Sequence, residues 1–258
     1  MTKAYQGYLI DLDGTMYQGD EAIPFASDFV KALQEKQLPY VFVTNNSSKT
    51  QQDVAMKLKK LNIPAEPKQI VTTSLATASY ITENYGQSRC YVIGEEGIHK
   101  ALQEEGHTIT ETENCDVVVI GIDRNITYEK LAKASIAVRN GATFISTNGD
   151  KSIPNERGLL PGNGSLTAVI SICTGVDPVF IGKPEAVIME EALHVLGLKA
   201  DETLMVGDNY ATDIHAGIQA GIDTLMVFTG VTPFLEYEQL PVKPTYYVHN
   251  LKEWLEKL

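Results

Sequence analysis

Short apolar runs alternate with amphipathic segments along most of the chain. Nine runs of three to seven residues are apolar nearly throughout instead of alternating with polar positions, which is typical of strands buried on both faces of a parallel sheet. They are YLI (8–10), YVFVT (40–44), QIVTT (69–73), CYVIG (90–94), DVVVIGI (116–122), ATFIST (142–147), PVFIG (178–182), TLMVG (203–207) and TLMVF (224–228).

The segments between these runs have helical periodicity. Apolar residues recur three and four positions apart, which predicts helices with one apolar face. The clearest cases are FASDFVKALQEK (25–36), QQDVAMKLKKL (51–61), EKLAKASIAVRN (129–140) and PEAVIMEEALHVLG (184–197). Strands that alternate with helices predict an α/β fold with right-handed crossovers.

The number of strands indicates two domains. Nine strands are many for one compact sheet, and residues 82–177 have the pattern of an α/β unit of their own. The flanking ranges 1–81 and 178–258 then continue one another in a single larger sheet. No linker rich in Pro, Gly or Ser and no repeat marks the junctions. We therefore predict a smaller α/β domain inserted into a larger one.

Composition excludes several classes of partner. The 258 residues are 43% apolar and 21% charged, as in ordinary globular proteins, and the formal net charge is −12. Without a Lys/Arg run, nucleic acid is not an expected partner. No apolar stretch reaches about 18 residues, so no membrane segment is expected. The three separated cysteines are expected to be buried free thiols. These features predict a cytoplasmic protein.

Polar residues with phosphoryl-transfer chemistry follow four of the predicted strands. In an open parallel sheet, ligands bind beyond the carboxyl ends of the strands. Each group alone is more often a turn, a helix cap or a solvated loop, but their joint occurrence indicates one site. The groups are Asp11-Leu12-Asp13-Gly14-Thr15, Thr44-Asn45-Asn46, Gly182-Lys183-Pro184 and Gly207-Asp208-Asn209 followed by Asp213.

The charge balance of these groups predicts a bound cation. Four aspartates face one lysine, and such a cluster would repel a phosphate dianion without a divalent ion. Oxygen ligands without nearby His or Cys favour a hard ion, and we predict Mg²⁺. Because residues two apart lie on one side of a strand, Asp11 and Asp13 can flank the same phosphorus. One carboxylate could attack while the other, kept protonated by its neighbour's charge, donates a proton.

At these residues the chain resembles the haloacid dehalogenase (HAD) superfamily. The motif DxDx[TV] is met at residues 11–15, the second-motif threonine at Thr44, the third-motif lysine at Lys183, and GDxxxxD at residues 207–213. Further tracts are similar to the NagD-like, p-nitrophenyl phosphatase-like subgroup with a type IIA cap. These tracts are TNNSSKT (44–50), TSLATA (73–78), VVVIGIDRNITYEKL (117–131), FISTNGD (144–150), LLPGNGS (159–165) and IGKPE (181–185).

The resemblance implies a fold and an activity. The fold is a Rossmann-like parallel-sheet core, with residues 82–177 forming a smaller α/β cap that covers the active site. The activity is hydrolysis of a small phosphorylated metabolite by a Mg²⁺-dependent phosphomonoesterase, through an aspartyl-phosphate. A homodimer formed through the cap is compatible with this subgroup.

The resemblance also implies roles for individual residues. Asp11 is expected to be the nucleophile and Asp13 the acid and base. Mg²⁺ is expected on the Asp11 carboxylate, the Asp13 carbonyl and Asp208. The remaining candidates serve phosphate binding (Thr44, Asn45, Asn46 and Lys183) and support of the metal (Asp213 and Asn209).

Residues of the predicted cap are candidates to contact the leaving group. Asp123, Arg124, Asn148 and Asp150 follow predicted cap strands, although turn residues and surface ion pairs explain them equally well. Arg124 would suit a second phosphate or a carboxylate. The glycines of LLPGNGS could form a phosphate cradle, but the tract lacks the GK[ST] ending of a P-loop. Close packing or a hinge is the preferred interpretation.

Other functions stay open at this stage. A receiver-type phosphorylation switch also gathers Asp, Thr and Lys around Mg²⁺, but receivers are about half as long and have no Asp two residues after the phosphorylated one. A dinucleotide-binding dehydrogenase would need a G-x-G-x-x-G after the first strand. A HAD phosphomutase or protein phosphatase is the alternative within the family. The substrate could be a sugar phosphate, a nucleoside monophosphate, a phosphoglycolate-like acid or pyridoxal phosphate.

Overall fold

The computed structural model describes residues 3–155 and 157–258. The strands in these residues are β1 Gly7–Ile10, β2 Tyr17–Gln18, β3 Glu21–Ala22, β4 Tyr40–Thr44, β5 Ile70–Thr72, β6 Arg89–Ile93, β7 Thr108–Thr110, β8 Val117–Ile120, β9 Thr143–Ser146, β10 Ser152–Asn155, β11 Gly158–Pro161, β12 Val179–Phe180, β13 Thr203–Gly207, β14 Asp223–Val227 and β15 Tyr246–Val248. The α-helices are α1 Ala26–Glu35, α2 Gln51–Lys60, α3 Thr73–Tyr85, α4 Glu96–Glu104, α5 Tyr128–Arg139, α6 Asn163–Thr174, α7 Ala186–Leu196, α8 His215–Gln219 and α9 Leu251–Leu255.

The chain divides into two compact units. The first comprises the described residues up to Thr44, together with Gln51–Val71 and Lys183–Leu258, and the second comprises Asn45–Thr50 and Thr72–Gly182. The predicted inserted domain, 82–177, lies inside the second unit. That unit also takes in residues 45–50, 72–81 and 178–182, which were predicted to belong to the larger domain. The last of these segments contains β12, which pairs with β9 of the second sheet and not with the larger sheet.

The first unit is built on a six-stranded sheet in the order β15-β14-β13-β1-β4-β5. β13 and β4 pair with β1 in parallel, as do β14 with β13 and β15 with β14. Every residue of β1, β4 and β13 is buried, which explains their unbroken apolar sequences. Phe29, Phe42 and Trp254 are among the large side chains of this core.

The second unit has its own parallel sheet in the order β12-β9-β8-β6-β7. β8, with the sequence VVVI, is its fully buried central strand. Helix α5 begins at Tyr128 after Thr127, whose hydroxyl accepts a hydrogen bond from the Lys130 amide, the usual role of an N-cap threonine. Its Ala134, Ala137 and Val138 enter a core separate from that of the first unit.

These elements confirm the α/β prediction. All nine apolar runs contain a strand, and all four amphipathic segments form helices. Six short strands were missed: β2, β3, β7, β10, β11 and β15. The pairs β2–β3 and β10–β11 are two-stranded hairpins, while β7 and β15 are edge strands. Such strands need no long apolar run because one side or one face is exposed.

Two other expectations concern exposure. Within the described ranges, the helices are too short or too polar to cross a membrane. The cysteines are free thiols, but only Cys90 is buried, while Cys115 is half-buried and Cys173 is exposed. The expectation of three buried thiols was therefore right for Cys90 and wrong for Cys115 and for Cys173, which lies at the end of α6.

Candidate active site

Neighbouring strands of the first sheet bring the predicted site residues together. Asp11 directly follows β1, Thr44 ends β4, and Asp208 directly follows β13. Because β13, β1 and β4 are adjacent and parallel, all three residues lie at the carboxyl edge of the sheet. The register pairs Ile10 with Val206, and the Asp11 amide donates to the Val206 carbonyl (2.9 Å), so β1 stays paired up to Asp11.

Three carboxylates converge at this edge. Oxygens of Asp11, Asp208 and Asp213 lie within 4.8 Å of one another, and all three residues are buried. Asp213 reaches the cluster from a single π-helical turn, Tyr210–Ile214, that follows β13. Asn209 is the N-cap of this turn: its side-chain oxygen accepts from the Ala211 amide, and its own amide donates to Asp213 (both 3.0 Å). Asn209 thus positions Asp213.

Lys183 neutralises part of this negative charge. Its ammonium group donates to Asp11 Oδ1 (2.5 Å), Asp213 Oδ1 (2.8 Å) and the Val43 carbonyl (3.1 Å). Its side chain is 2% exposed. Burial by itself lowers the pKa of Lys183, but the two carboxylates outweigh it and raise the pKa above its usual value. Lys183 is therefore charged at neutral pH.

Thr15 and a loop after β14 hold Asp208 in place. The Thr15 hydroxyl lies 3.0 Å from Asp208 Oδ1 and 3.3 Å from Asp11 Oδ2, so it joins two carboxylates. The Val231 amide donates to Asp208 Oδ2 (2.6 Å). The neighbouring Gly230 approaches so closely that a Cβ there would collide with the same carboxylate. The contribution of this loop was not predicted from the sequence.

The carboxylates repel one another in a buried setting. Burial, followed by the charge of Asp213, raises the pKa of Asp11 well above its ordinary value, although Lys183 opposes the shift. Burial and Asp213 also raise the pKa of Asp208, to about 6. Three carboxylates with one lysine leave an excess of two negative charges when all are ionised. The raised pKa values are the electrostatic consequence of that excess.

The cluster fits a hard divalent cation. Its donors are carboxylate oxygens, the ligand type that Mg²⁺ prefers in proteins. A divalent ion would also cancel the uncompensated charge that raises the pKa of Asp11 and Asp208. Asp11, Asp208 and Asp213 are therefore the residues that could hold the metal.

Asp13 differs from the other aspartates in its surroundings. It is exposed, and its carboxylate Oδ2 accepts a hydrogen bond from the Tyr17 hydroxyl (3.3 Å). Nearby protein atoms still reduce its hydration, and this desolvation raises its pKa, while Lys57 and Tyr17 act in the opposite direction. Burial likewise raises the pKa of Tyr17, so its hydroxyl stays protonated and acts as a donor. Asp13 is thus a solvent-accessible carboxyl group, whereas Asp11, Asp208 and Asp213 are buried.

Asn45, Asn148 and Asp150 form a polar cluster in the second unit. The Asn45 amide lies 3.3 Å and 3.4 Å from the two Asp150 carboxylate oxygens, and the Asn45 carbonyl accepts from the Asn148 amide (2.8 Å). Asn46 is exposed, and its side-chain oxygen accepts from the amides of Ser48 and Lys49 (both 2.9 Å). These contacts explain how polar residues can order the segment after β4.

Asp123 and Arg124 form ion pairs within the second unit. Asp123 is buried, pairs with Lys130 (2.6 Å) and accepts from the Asn125 amide (2.8 Å). The Arg124 side chain is exposed and pairs with Glu95 (2.8 Å). The alternative interpretation, as turn residues and ion pairs, accounts for these contacts.

The LLPGNGS tract supports close packing. Gly164, in the first turn of α6, donates its amide to the Asp150 carbonyl (2.9 Å), so this helix end is covered by protein. A Cβ at Gly162 or Gly164 would collide with the backbone around Asp150. The glycines are needed for this close approach.

Two sequence models of one hydrolase family match the chain. Residues 8–108 match the model described as haloacid dehalogenase-like hydrolase, and residues 180–254 match the model described as HAD-hydrolase-like. The matched ranges contain the four predicted motifs.

Two named relatives match nearly the whole chain. It is 59% identical to the 5'-nucleotidase YutF of Bacillus subtilis over 253 residues, 98% of each protein. It is 52% identical to the acid sugar phosphatase of Staphylococcus aureus (strain USA300) over 256 residues, 99% of each protein.

Solved structures have the same fold. A mutant of the thermostable p-nitrophenylphosphatase from Bacillus stearothermophilus is 55% identical, with a TM-score of 0.90 over 98% of this chain and 99% of that chain. NagD from Escherichia coli K-12 is 33% identical, with a TM-score of 0.91 over 97% and 98%. The chain therefore belongs to the haloacid dehalogenase-like hydrolases and, within them, to the NagD-like phosphatases, which hydrolyse phosphoric monoesters.

Proposed function

We propose that this phosphatase hydrolyses a small phosphorylated metabolite in a Mg²⁺-dependent reaction that passes through an aspartyl-phosphate on Asp11. The observation that carries the proposal is the convergence of Asp11, Asp208 and Asp213, two of which, Asp11 and Asp213, pair with the buried ammonium group of Lys183. A carboxylate that faces a lysine and other acidic oxygens can act as a nucleophile toward phosphorus once the surrounding charge is neutralised.

In the first half-reaction, a carboxylate oxygen of Asp11 attacks phosphorus. The P–O bond to the leaving group breaks as the new bond to Asp11 forms, and Asp13 gives its proton to the departing oxygen. The products are an alcohol, the aspartyl-phosphate and an ionised Asp13. The raised pKa of Asp13 supports this role, because it keeps a larger fraction of the carboxyl protonated at neutral pH.

In the second half-reaction, Asp13 acts as a base. It takes a proton from a water molecule whose oxygen attacks phosphorus, and the bond between phosphorus and Asp11 breaks. Inorganic phosphate leaves, Asp11 is again a carboxylate, and Asp13 is again protonated.

Lys183, Thr44 and the amide of Asn45 are proposed to hold the phosphoryl oxygens. A lysine ammonium group has three donors, and those of Lys183 reach Asp11, Asp213 and the Val43 carbonyl. A phosphoryl oxygen would therefore replace one of these acceptors. Asn46 stays a candidate for the same role.

Asp11 and Asp208 are proposed to hold Mg²⁺, together with the Asp13 carbonyl that the family resemblance implies, while Asp213, the third carboxylate of the cluster, supports the metal site through its pairing with Lys183. The Asn209 amide donates to Asp213, and the Thr15 hydroxyl contacts Asp11 and Asp208, so these hydrogen bonds hold the carboxylates in place. Bound Mg²⁺ supplies the positive charge that lets a dianionic phosphate approach an acidic site.

Removal of the metal gives the direct test. Dialysis against EDTA should abolish phosphate release from p-nitrophenyl phosphate, and added Mg²⁺ should restore it. Asp208→Asn should weaken Mg²⁺ binding, measured by isothermal titration calorimetry, by roughly tenfold or more, because a charged ligand is replaced by a neutral one. Full activity in EDTA would contradict the metal requirement.

The class of substrate is proposed from the relatives. Their names point to nucleotides, acid sugar phosphates and p-nitrophenyl phosphate, so a panel of nucleoside monophosphates and sugar phosphates should contain a good substrate. Release of phosphate in large molar excess over enzyme distinguishes a phosphatase from a receiver-type switch. A phosphomutase would instead return an isomeric phosphate ester.

The cap role of the second unit, the homodimer and the cytoplasmic location stay predictions.

Arg124 is proposed to recognise an anionic group of the substrate. Arg124→Ala should then raise KM for the preferred acidic substrate by roughly tenfold, the value of one charge-assisted hydrogen bond, and leave KM for p-nitrophenyl phosphate unchanged. Steady-state kinetics on both substrates measure the difference.

Glu95→Gln is the matched control because Glu95 pairs with Arg124 through both carboxylate oxygens. This variant keeps the guanidinium and removes only the competing charge, so KM for the acidic substrate should not rise. Equal effects of Arg124→Ala on both substrates would refute the role in recognition.

A further inference from the structure

Tyr17 lies on the turn that carries Asp13. The residue is 5% exposed, and its hydroxyl donates to Asp13 Oδ2 at 3.3 Å. The residue begins β2, and its position four residues after Asp13 allows a contact across the turn. None of the four sequence motifs includes it.

The structure fixes Tyr17 at three points. Its amide donates to the Leu12 carbonyl (3.2 Å), and its carbonyl accepts from the Gly14 amide (2.8 Å). The Lys57 ammonium group of α2 lies 3.8 Å from the centre of its ring, within the range of a cation–π interaction. With backbone, ring and hydroxyl all held, the phenol is a rigid donor toward Asp13.

We propose that Tyr17 is a positioning residue for proton transfer by Asp13. The inference rests on the proposed function, in which Asp13 protonates the leaving group. A hydroxyl that donates to Oδ2 fixes the carboxyl plane and makes Oδ2 an acceptor, which leaves Oδ1 to carry the transferred proton. Asp13 is exposed, so without this contact its side chain could rotate away from the leaving oxygen.

The chemistry of the leaving group determines how strongly the rate depends on Asp13. p-Nitrophenolate is a stable anion and leaves with little need for protonation, whereas the alkoxide of an alkyl phosphate must be protonated as the P–O bond breaks. Because kcat/KM reports the steps up to the first irreversible one, it isolates phosphoryl transfer to Asp11 from later hydrolysis. Loss of Asp13 positioning should therefore lower kcat/KM most for poor leaving groups.

The test compares Tyr17→Phe with the wild-type enzyme on p-nitrophenyl phosphate, phenyl phosphate and glycerol phosphate, all with Mg²⁺. We expect kcat/KM to fall by less than about threefold for p-nitrophenyl phosphate and by roughly tenfold or more for glycerol phosphate, a part of the 10²–10⁴-fold that general acid catalysis contributes. A steeper dependence on the leaving group is a readout that a purely structural role of Tyr17 would not change.

Two further variants complete the test. Tyr40→Phe also removes a buried phenolic hydroxyl of the first unit, one that donates to the Pro64 carbonyl (3.2 Å), and it should leave all three kcat/KM values unchanged. Asp13→Asn removes the acid itself and should show the steepest dependence on the leaving group.

The outcomes separate the two claims. If Asp13→Asn steepens the dependence and Tyr17→Phe lowers kcat/KM equally for all three substrates, or not at all, the role of Tyr17 is overturned and that of Asp13 stands. If Asp13→Asn itself lowers all three values equally, the proposed acid is wrong, and the inference on Tyr17 falls with it. A crystal structure of Tyr17→Phe with Asp13 in the wild-type rotamer at full occupancy would also overturn the positioning role.

Discussion

Asp11→Asn should abolish Mg²⁺-dependent hydrolysis of p-nitrophenyl phosphate without destabilising the protein. An amide oxygen is neutral and a poor nucleophile, so we expect kcat/KM to fall by on the order of 10⁴-fold or more. The stability of the folded protein, in contrast to kcat/KM, should not fall. The pKa of Asp11 is raised by burial and by Asp213, which means that its ionised form costs free energy in the folded state at neutral pH. The neutral amide removes this cost, while Lys183 still pairs with Asp213. The melting temperature should therefore stay at the wild-type value or rise.

Asp223→Asn is the matched control for this experiment. Asp223 is the first residue of β14 and lies at the amino-terminal end of the strands, away from the acidic cluster at their carboxyl ends. Its carboxylate accepts hydrogen bonds from Lys3 (2.8 Å) and Tyr5 (2.9 Å). Burial raises the pKa of Asp223, but these donors outweigh it and lower the pKa below its usual value. The substitution should therefore cost stability and leave activity intact. Activity of Asp11→Asn within about tenfold of the wild-type enzyme would contradict the assignment of the nucleophile.

The proximity of the acidic residues could be predicted from the sequence because it follows from the geometry of parallel strands. Buried parallel strands have unbroken apolar sequences, and the residues that follow them gather at one edge. Asp11, Thr44 and Asp208 each stand at the end of such a run, and the structure has their strands side by side. Asp213 needed only the assumption of a helical turn after Asp208.

Contacts made by the backbone or by residues outside a motif could not be predicted in this way. The Val231 amide holds Asp208, and a peptide N–H leaves no trace in the side-chain pattern. The strand before this loop was predicted, and Gly230 was the available signal that a close backbone approach follows it. The Tyr17 hydroxyl depends on a tight turn whose shape is fixed by hydrogen bonds rather than by residue type.

The boundaries of the second unit also could not be predicted from the sequence pattern. Residues 45–50 belong to it although they directly follow β4 of the other unit. The Ile122 amide donates to the Ser47 hydroxyl (3.3 Å), and the Gly97 amide donates to the Ser48 carbonyl (3.1 Å). Periodicity measures only local order, so it cannot show that a loop is bound by residues 49 and 75 positions away.

Replacement of Lys183 by methionine should cause the largest combined loss of activity and stability. Methionine has a similar length but no charge, so phosphate loses a donor and kcat/KM should fall by about 10²–10³-fold. In addition, Asp11 and Asp213 would face each other in a buried site without a counter-charge. Loss of one partner from a buried ion pair typically lowers the free energy of unfolding by about 3–5 kcal/mol. Urea denaturation at pH 7 without Mg²⁺ measures this change.

The pH dependence and the effect of Mg²⁺ identify the cause of the instability. The pKa of Asp11 is already raised in the folded protein, and loss of Lys183, which opposes that shift, must raise it further. An acid whose folded-state pKa exceeds its unfolded value gains stability as pH falls from the raised value toward about 4. Lys183→Met should therefore recover stability on mild acidification, and Mg²⁺ at pH 7 should restore part of it by binding the carboxylates.

Lys3→Met, which removes an exposed lysine paired with Asp223, should show neither recovery. A pH-independent loss of stability in Lys183→Met, insensitive to Mg²⁺, would instead indicate a packing defect and would contradict the role of Lys183 as the counter-charge of the cluster.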